Sequence, residues 1–205
     1  MQDSVSAILM ASGFSRRFGS ENKLLVPFRG KPLVRHTLEL VCAMTDSFSG
    51  IFFAAADECV AAIARDFPVT LIHNNAPEKG RRESVRLGVA AAGESDYYFF
   101  FPCDQPLLDE ETIRLILKAR QPGKIVEPFF SGAVYSGCHG SRDCSGSPSL
   151  FSAAFQNELL TLGEGEKPKV IKERHPDALI RVEVTNPLAL FDIDNPDAIS
   201  FLSTG

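Results

Sequence analysis

Five consecutive aromatic residues, Tyr97-Tyr98-Phe99-Phe100-Phe101, constrain this chain more than any other feature. An extended strand points alternate side chains to opposite faces, so the run presents large rings on both. Such a strand is stable only inside a sheet covered on both sides. A central strand is therefore expected from Asp96 to Cys103. Around it, short apolar runs alternate with segments of helical spacing. Val5 to Ala11, Gly50 to Ala56 and Val69 to His73 read as strands. Pro32 to Met44, Asp57 to Arg65, Glu83 to Ala92 and a segment through Lys118 capped by Asp109 read as helices. The alternation predicts an α/β fold: a three-layer sandwich with a mostly parallel sheet and helices on both faces.

The second half is less regular. The stretch from Gly123 to Pro148 is rich in Gly, Ser and Cys and reads as loops with short strands at the sheet edge. Helical character is expected again from Ser149 to Leu160 and near Lys169 to Arg174. The segment from Ala189 to Asp197 reads as strand, turn and final helix, with Asp194 or Asn195 at the cap. With 205 residues and no linker or repeat, one domain over residues 1–205 is expected. The net charge of -5 argues against broad nucleic-acid binding, while leaving room for a local basic pocket. Five cysteines without regular spacing do not form a disulfide framework, and point to a reducing, cytoplasmic setting. The apolar run at Val5 to Ala11 is too short to span a membrane.

In parallel sheets, ligands sit beyond the carboxyl ends of the strands. That rule selects the residues after Ala11, His73, Phe101 and Phe191. After Ala11 comes Ser12-Gly13-Phe14-Ser15-Arg16-Arg17-Phe18-Gly19, with Lys23 beyond. Small residues let backbone N–H groups approach phosphate oxygens, Ser12 and Ser15 add hydroxyls, and Arg16, Arg17 and Lys23 supply positive charge. A phosphate site is expected there; a surface turn with solvated arginines is the bland alternative. After His73, Gly80-Arg81-Arg82-Glu83-Ser84 opens a helix whose N-terminus suits a nucleotide base or ribose, or is simply a basic helix start. After Phe101, Asp104 stands where a carboxylate can hold Mg²⁺ against phosphate, or can cap a turn. After Phe191, Asp192 and Asp194 alternate on the expected strand and so share a face; either can complete the metal site. Cys138, His139 and Cys144 match no zinc spacing and are read as structural or incidental.

Taken together, several segments resemble the MobA-like NTP transferases. They are Ile8-Leu-Met-Ala-Ser-Gly-Phe-Ser-Arg-Arg-Phe-Gly, Asn22-Lys23-Leu-Leu and Gly30-Lys-Pro-Leu-Val-Arg-His. Cys103-Asp104-Gln105-Pro106-Leu107, Gly146-Ser147-Pro148-Ser-Leu-Phe151, Val170-Ile-Lys172 and Asp192-Ile-Asp194-Asn-Pro-Asp197 follow in order. The nearest branch resembles the molybdenum cofactor cytidylyltransferases. The resemblance implies a Rossmann-like nucleotidyltransferase fold and transfer of a nucleotidyl group from CTP to the phosphate of molybdopterin cofactor, releasing pyrophosphate. It implies phosphate contacts from Arg16 and Lys23, magnesium on Asp104, and a base-binding stretch at Ser84; with the reading of the strand ends, nucleotide contacts are expected from Ala11, Ser12, Gly13, Ser15, Arg17, Gly80 and Ser84. Two alternatives remain. One is a related transferase using GTP, or acting on a sugar or alcohol phosphate. The other is a nucleotide-binding partner that matures a molybdenum enzyme without catalysing transfer.

Overall fold

The computed structural model describes residues 3–12, 18, 22–131 and 144–203. Strand β1 (Val5–Ala11) precedes a small antiparallel hairpin of β2 (Pro27–Phe28) and β3 (Lys31–Pro32). Then come α1 (Leu33–Ala43), β4 (Gly50–Ala55), α2 (Glu58–Ala64), β5 (Thr70–His73), α3 (Arg81–Ala92) and β6 (Tyr97–Pro102). The second half holds α4 (Glu110–Lys118), β7 (Ile125–Phe130), β8 (Cys144–Ser145), β9 (Ser149–Ser152), α5 (Gln156–Leu160), α6 (Lys169–Arg174), β10 (Leu179–Glu183) and α7 (Pro196–Ser203). The main sheet has the order β10-β7-β9-β6-β1-β4-β5, and β8 also pairs with β7. Strands β6, β1, β4 and β5 are mutually parallel, as is the β10–β7 pair, whereas β9 runs against both β6 and β7.

The aromatic run behaves as its pattern demands. Phe99 and Phe101 pack with Ala7 and Leu9 of β1 against Val34 and Leu38 of α1, Val60 of α2 and Ile113 of α4. Tyr98 and Phe100 pack with Ile8 against Val85 and Val89 of α3, Leu159 of α5 and Ile171 of α6. Helices thus cover both faces, and the α/β, mostly parallel, three-layer expectation is met. Side chains of this kind contribute about 1.5–3 kcal/mol each when fully buried, which makes β6 the mechanical centre of the fold. One approach is close enough to test. A Cβ added at Gly88 of α3 would lie 2.3 Å from Cγ2 of Ile8. That methyl belongs to a stiff β-branched side chain. Gly88→Ala is expected to destabilise by ~1–3 kcal/mol in urea unfolding, because overpacking exceeds the helix-propensity gain.

Three expectations are corrected. Ile125–Phe130 is an interior strand between β10 and β9, not an edge element. Glu127 and Pro128 disguised it. Glu127 is paired inside the protein with Lys172 and Arg181. Pro128 falls between the stretch of β7 paired with β9 (Ile125, Val126) and that paired with β8 (Phe129, Phe130), so its missing N–H breaks no ladder there. Ser149–Ser152 is a strand rather than the start of a helix: Phe151 and Leu150 fill the slot between β6 and β7, and only the helix Gln156–Leu160 follows. Tertiary pairing overrode a four-residue pattern too short to have a period. Last, residues 189–195 contain no strand. Pro187–Leu190 is a 3₁₀ turn, residues 191–195 are irregular, and the terminal strand is Leu179–Glu183 on the sheet edge. Asn195 accepts the N–H of Ala198 and is the cap.

Candidate active site

Strand register sets the frame. Ala11 lies opposite Ala55, Ala55 opposite His73, and Met10 opposite Pro102. The carboxyl ends of four parallel strands are therefore level, and the residues leaving them, Ser12, Asn74, Cys103 and Asp104, line one edge. Ala11 and Ser12 are buried there, and the Ser12 hydroxyl donates to the Ala54 carbonyl at 3.0 Å.

At the β6 end, Asp104 is the hub. Lys23 Nζ donates to Asp104 Oδ2 at 2.6 Å, to the Ile193 carbonyl at 3.1 Å and to Asp194 Oδ1 at 3.2 Å. Gln105 Nε2 donates to Asp192 Oδ1 at 2.8 Å. The Ile193 N–H donates to the Asp104 carbonyl at 2.9 Å, and Ile193 itself is buried with Phe28 and Leu33. These ties bring Asp192 and Asp194 to Asp104, although the strand that was expected to carry them does not exist. Nor do the two share a face: Asp192 turns to Gln105 and Asp194 to Lys23.

The charges explain themselves by contact. Burial pulls the Lys23 ammonium down, but Asp104 and Asp194 beside it outweigh that and hold it above the ordinary lysine range, so it stays charged. Asp192 moves the other way. Desolvation and the like charge of Asp104 push its carboxyl up to about 7, against the pull of Arg81 and the Gln105 hydrogen bond. The residue keeps an exposed surface, where solvent screens part of that repulsion. Buried Cys103 is held well above the usual thiol range by desolvation and by Asp104.

At the β5 end, Asn74 is buried, accepts the Ala76 N–H and lies 3.4 Å from the Ser84 hydroxyl in the first turn of α3. Gly80 precedes α3 with φ 73°, a conformation suited to glycine, and adds no side-chain cap. The helix N-terminus thus offers backbone N–H groups to an anion, and Arg81 extends positive potential to Asp192.

Of the residues singled out in the sequence, Ala11, Ser12, Lys23, Gly80, Ser84, Asp104, Asp192 and Asp194 are at this edge. Gly13, Ser15, Arg16 and Arg17 lie outside the described residues, as do Cys138 and His139. Two participants were given no role in the sequence, Gln105 and Asn74, and Arg81, expected at a nucleotide-facing helix start, acts on Asp192. Asn74 directly follows a strand end and Gln105 directly follows Asp104, so their positions were legible even though their partners were not. Among the described residues no group of three or more His, Cys, Asp or Glu side chains is arranged to hold a metal ion. No described helix is long and apolar enough to cross a membrane.

The family model of the MobA-like NTP transferase domain matches residues 7–179. The chain belongs to the MobA-like NTP transferase family. A curated relative within it, nicotine blue oxidoreductase of Paenarthrobacter nicotinovorans, is 28% identical over 163 residues, covering 79% of this chain and 78% of that one. The molybdenum cofactor guanylyltransferase of Pseudomonas aeruginosa is 30% identical over 121 residues, covering 56% of this chain and 55% of that one. The match thus spans about half the length of that guanylyltransferase. Among solved structures, a nucleotidyl transferase from Methanothermobacter superposes with a TM-score of 0.80 at 20% identity, covering 99% of this chain and 97% of that one. A Mycobacterium tuberculosis protein solved as a manganese complex gives 0.68 at 18% identity, covering 100% of both chains. These likenesses establish the fold that a MobA-like NTP transferase shares with nucleotidyltransferases.

Proposed function

We propose that this protein is a cytoplasmic, single-domain nucleotidyltransferase that transfers CMP from CTP to the phosphate of molybdopterin cofactor and releases pyrophosphate. The observation that carries the reading is the meeting of Lys23, Asp104, Asp192 and Asp194 at one strand edge, with Arg81 of the first turn of α3 acting on Asp192. The molybdenum context is supported by the guanylyltransferase relatives and by the sequence resemblance. CTP is supported by the resemblance to the cytidylyl branch. GTP is the second reading, because those relatives are named for guanylyl transfer.

The donor set fits a divalent cation. Asp104 Oδ2 is taken by Lys23, but Asp104 Oδ1 is buried with no hydrogen-bond partner among the described residues. Mg²⁺ usually takes one or two carboxylates and completes its shell with water and substrate phosphates. The residues that would hold it are Asp104 with Asp192 or Asp194, and a cation bound there supplies charge neutralisation along the triphosphate. Ala11, Ser12, Gly13 and Ser15 line the nucleotide, with Gly80 and Ser84 on the base side. Arg16 and Arg17 bind the phosphates. Lys23 reaches them by trading its Asp194 contact, which is longer and more exposed than its pair with Asp104. An oxygen of the acceptor phosphate attacks the α-phosphorus in line, the new P–O bond forms as the bond to the β-phosphate bridging oxygen breaks, and pyrophosphate leaves. The attacking group is already anionic, so no general base is needed. Positioning and electrostatics do the rest.

The test is label transfer from α-³²P-CTP and α-³²P-GTP to molybdopterin cofactor and to sugar phosphates, with pyrophosphate release followed in parallel. CMP transfer to the cofactor with stoichiometric pyrophosphate is expected. Transfer only from GTP replaces the donor, and transfer only to a sugar phosphate overturns the acceptor. Nucleotide binding without pyrophosphate leaves a non-catalytic maturation partner.

A pH dependence follows from Asp192. Its proton competes with the cation, so Mn²⁺ affinity, titrated by electron paramagnetic resonance, is expected to weaken as pH falls from 8 through about 7 to 6. In Asp192→Asn the affinity is weaker and flat over that range. An equally steep dependence in that variant removes Asp192 from the site.

A further inference from the structure

Gln105 has no role in the reading above, yet it occupies the junction of three segments. Its side chain is 2% exposed. Its Nε2 faces three acceptors: Asp192 Oδ1 at 2.8 Å, the Ser147 carbonyl at 3.3 Å and the Leu190 carbonyl at 3.5 Å. Three acceptors around one atom decide the amide orientation, because the oxygen placed there would meet only lone pairs.

The segment bearing Asp192 needs such a tie. Residues 191–195 belong to no strand or helix, so no ladder positions them. Asp192 also shares its surroundings with the like charge of Asp104. Two of the bonds that oppose that repulsion start from adjacent residues: the Asp104 carbonyl accepts the Ile193 N–H, and the Gln105 amide donates to Asp192; Lys23 adds its bond to the Ile193 carbonyl. The turn after β6 thereby presents one carboxylate itself and grips the second by its neighbour's side chain.

We propose that Gln105 is the positioning residue that aims Asp192 at the cation site beside Asp104, acting as a hydrogen-bond donor. The proposal rests on the reading of Asp192 as a cation ligand. Gln105 contacts neither substrate nor cation in this role. It fixes the orientation of a group that does, as partners behind metal ligands commonly do, where their loss weakens affinity about 10–100-fold.

The test is Mn²⁺ alone, titrated by electron paramagnetic resonance into the full chain in a double-mutant cycle. Gln105→Met keeps the volume and removes the donor. It is expected to weaken Mn²⁺ binding at least tenfold in the wild-type background and less than twofold in Asp192→Asn, because Gln105 acts through Asp192. Gln105→Glu, nearly isosteric, replaces the donor with a fourth acceptor and is expected to weaken binding at least as much. It carries the same cycle if Gln105→Met does not fold, with circular dichroism reporting folding. Equal weakening in both backgrounds shows a general structural role and overturns the proposal. If Asp192→Asn weakens Mn²⁺ binding and neither Gln105 variant does, the positioning role fails while the ligand reading stands. If Asp192→Asn leaves Mn²⁺ binding unchanged, the ligand reading fails and the proposal falls with it.

Discussion

Asp104→Asn is expected to lower kcat about a thousandfold or more while leaving a folded protein. Removing one pre-organised group that stabilises transition-state charge commonly costs about 10²–10³ in kcat, and Asp104 is asked to do more than that. It is the hub on which Lys23 and, through its backbone carbonyl, Ile193 converge. It also carries a buried oxygen, without a hydrogen-bond partner among the described residues, that suits a cation. The fold survives because the charge left behind is not stranded. Lys23 keeps Asp194 and the Ile193 carbonyl, and Asp192 loses a repulsive neighbour. The stability cost is therefore expected to stay below the ~3–5 kcal/mol of an uncompensated buried charge. Asp192 should titrate closer to an ordinary carboxylate in this variant. Steady-state kinetics with circular dichroism checks the result, and near-wild-type turnover would remove Asp104 from the chemistry.

The second large effect is on stability and lies away from the site chemistry. Glu127, buried in β7, accepts from Lys172 Nζ at 2.8 Å and from Arg181 Nε at 3.1 Å. Lys172 also donates to the Gly146 carbonyl at 2.7 Å and lies over the Phe151 ring. Burial pulls the Lys172 ammonium below the usual lysine range, and Glu127 is what opposes that pull. Glu127→Ala leaves the ammonium with one carbonyl and a ring, at an expected cost of ~3–5 kcal/mol. For a chain of this size that corresponds to a fall in Tm of about 6–20 °C. The sign with pH is defined. A lysine whose folded pKa lies below its unfolded value destabilises while protonated, so the variant recovers stability as pH rises from 7 towards 10. Urea unfolding at both ends of that range decides the matter. A loss under 1 kcal/mol at pH 7 would show that the pair contributes little. The carbonyl that Lys172 holds adjoins Ser147, whose own carbonyl is held by Gln105. The Val170-Ile-Lys172 segment, noted in the sequence as part of a resemblance, thus has a structural reason to be there.

Much of the first hundred residues was legible without coordinates. Val5–Ala11, the helices after Pro32 and Asp57, the aromatic strand and the Asp109 cap follow from periodicity and capping, which are local. So do the positions of Ser12 and Asp104 just beyond strand ends. The second half resisted because its signals were not local. Glu127 and Pro128 look foreign to an interior strand until Lys172, Arg181 and the gap between two partners are in place. Leu150 and Phe151 become a strand only because β6 and β7 leave a slot of that width.

The site divides in the same way. Which residue types stand at the strand ends can be read along the chain, because alternation and small polar residues are local signals. Who meets whom depends on the packed fold. Lys23 joins Asp104 across 81 positions and Asp194 across 171, and Gln105 reaches Asp192 across 87. Contacts at such separations depend on how the sheet orders its strands and on where an irregular tail is pinned. Neither leaves a period in the sequence, which is why the carboxylates were foreseen and the lysine clasp and glutamine tie that gather them were not.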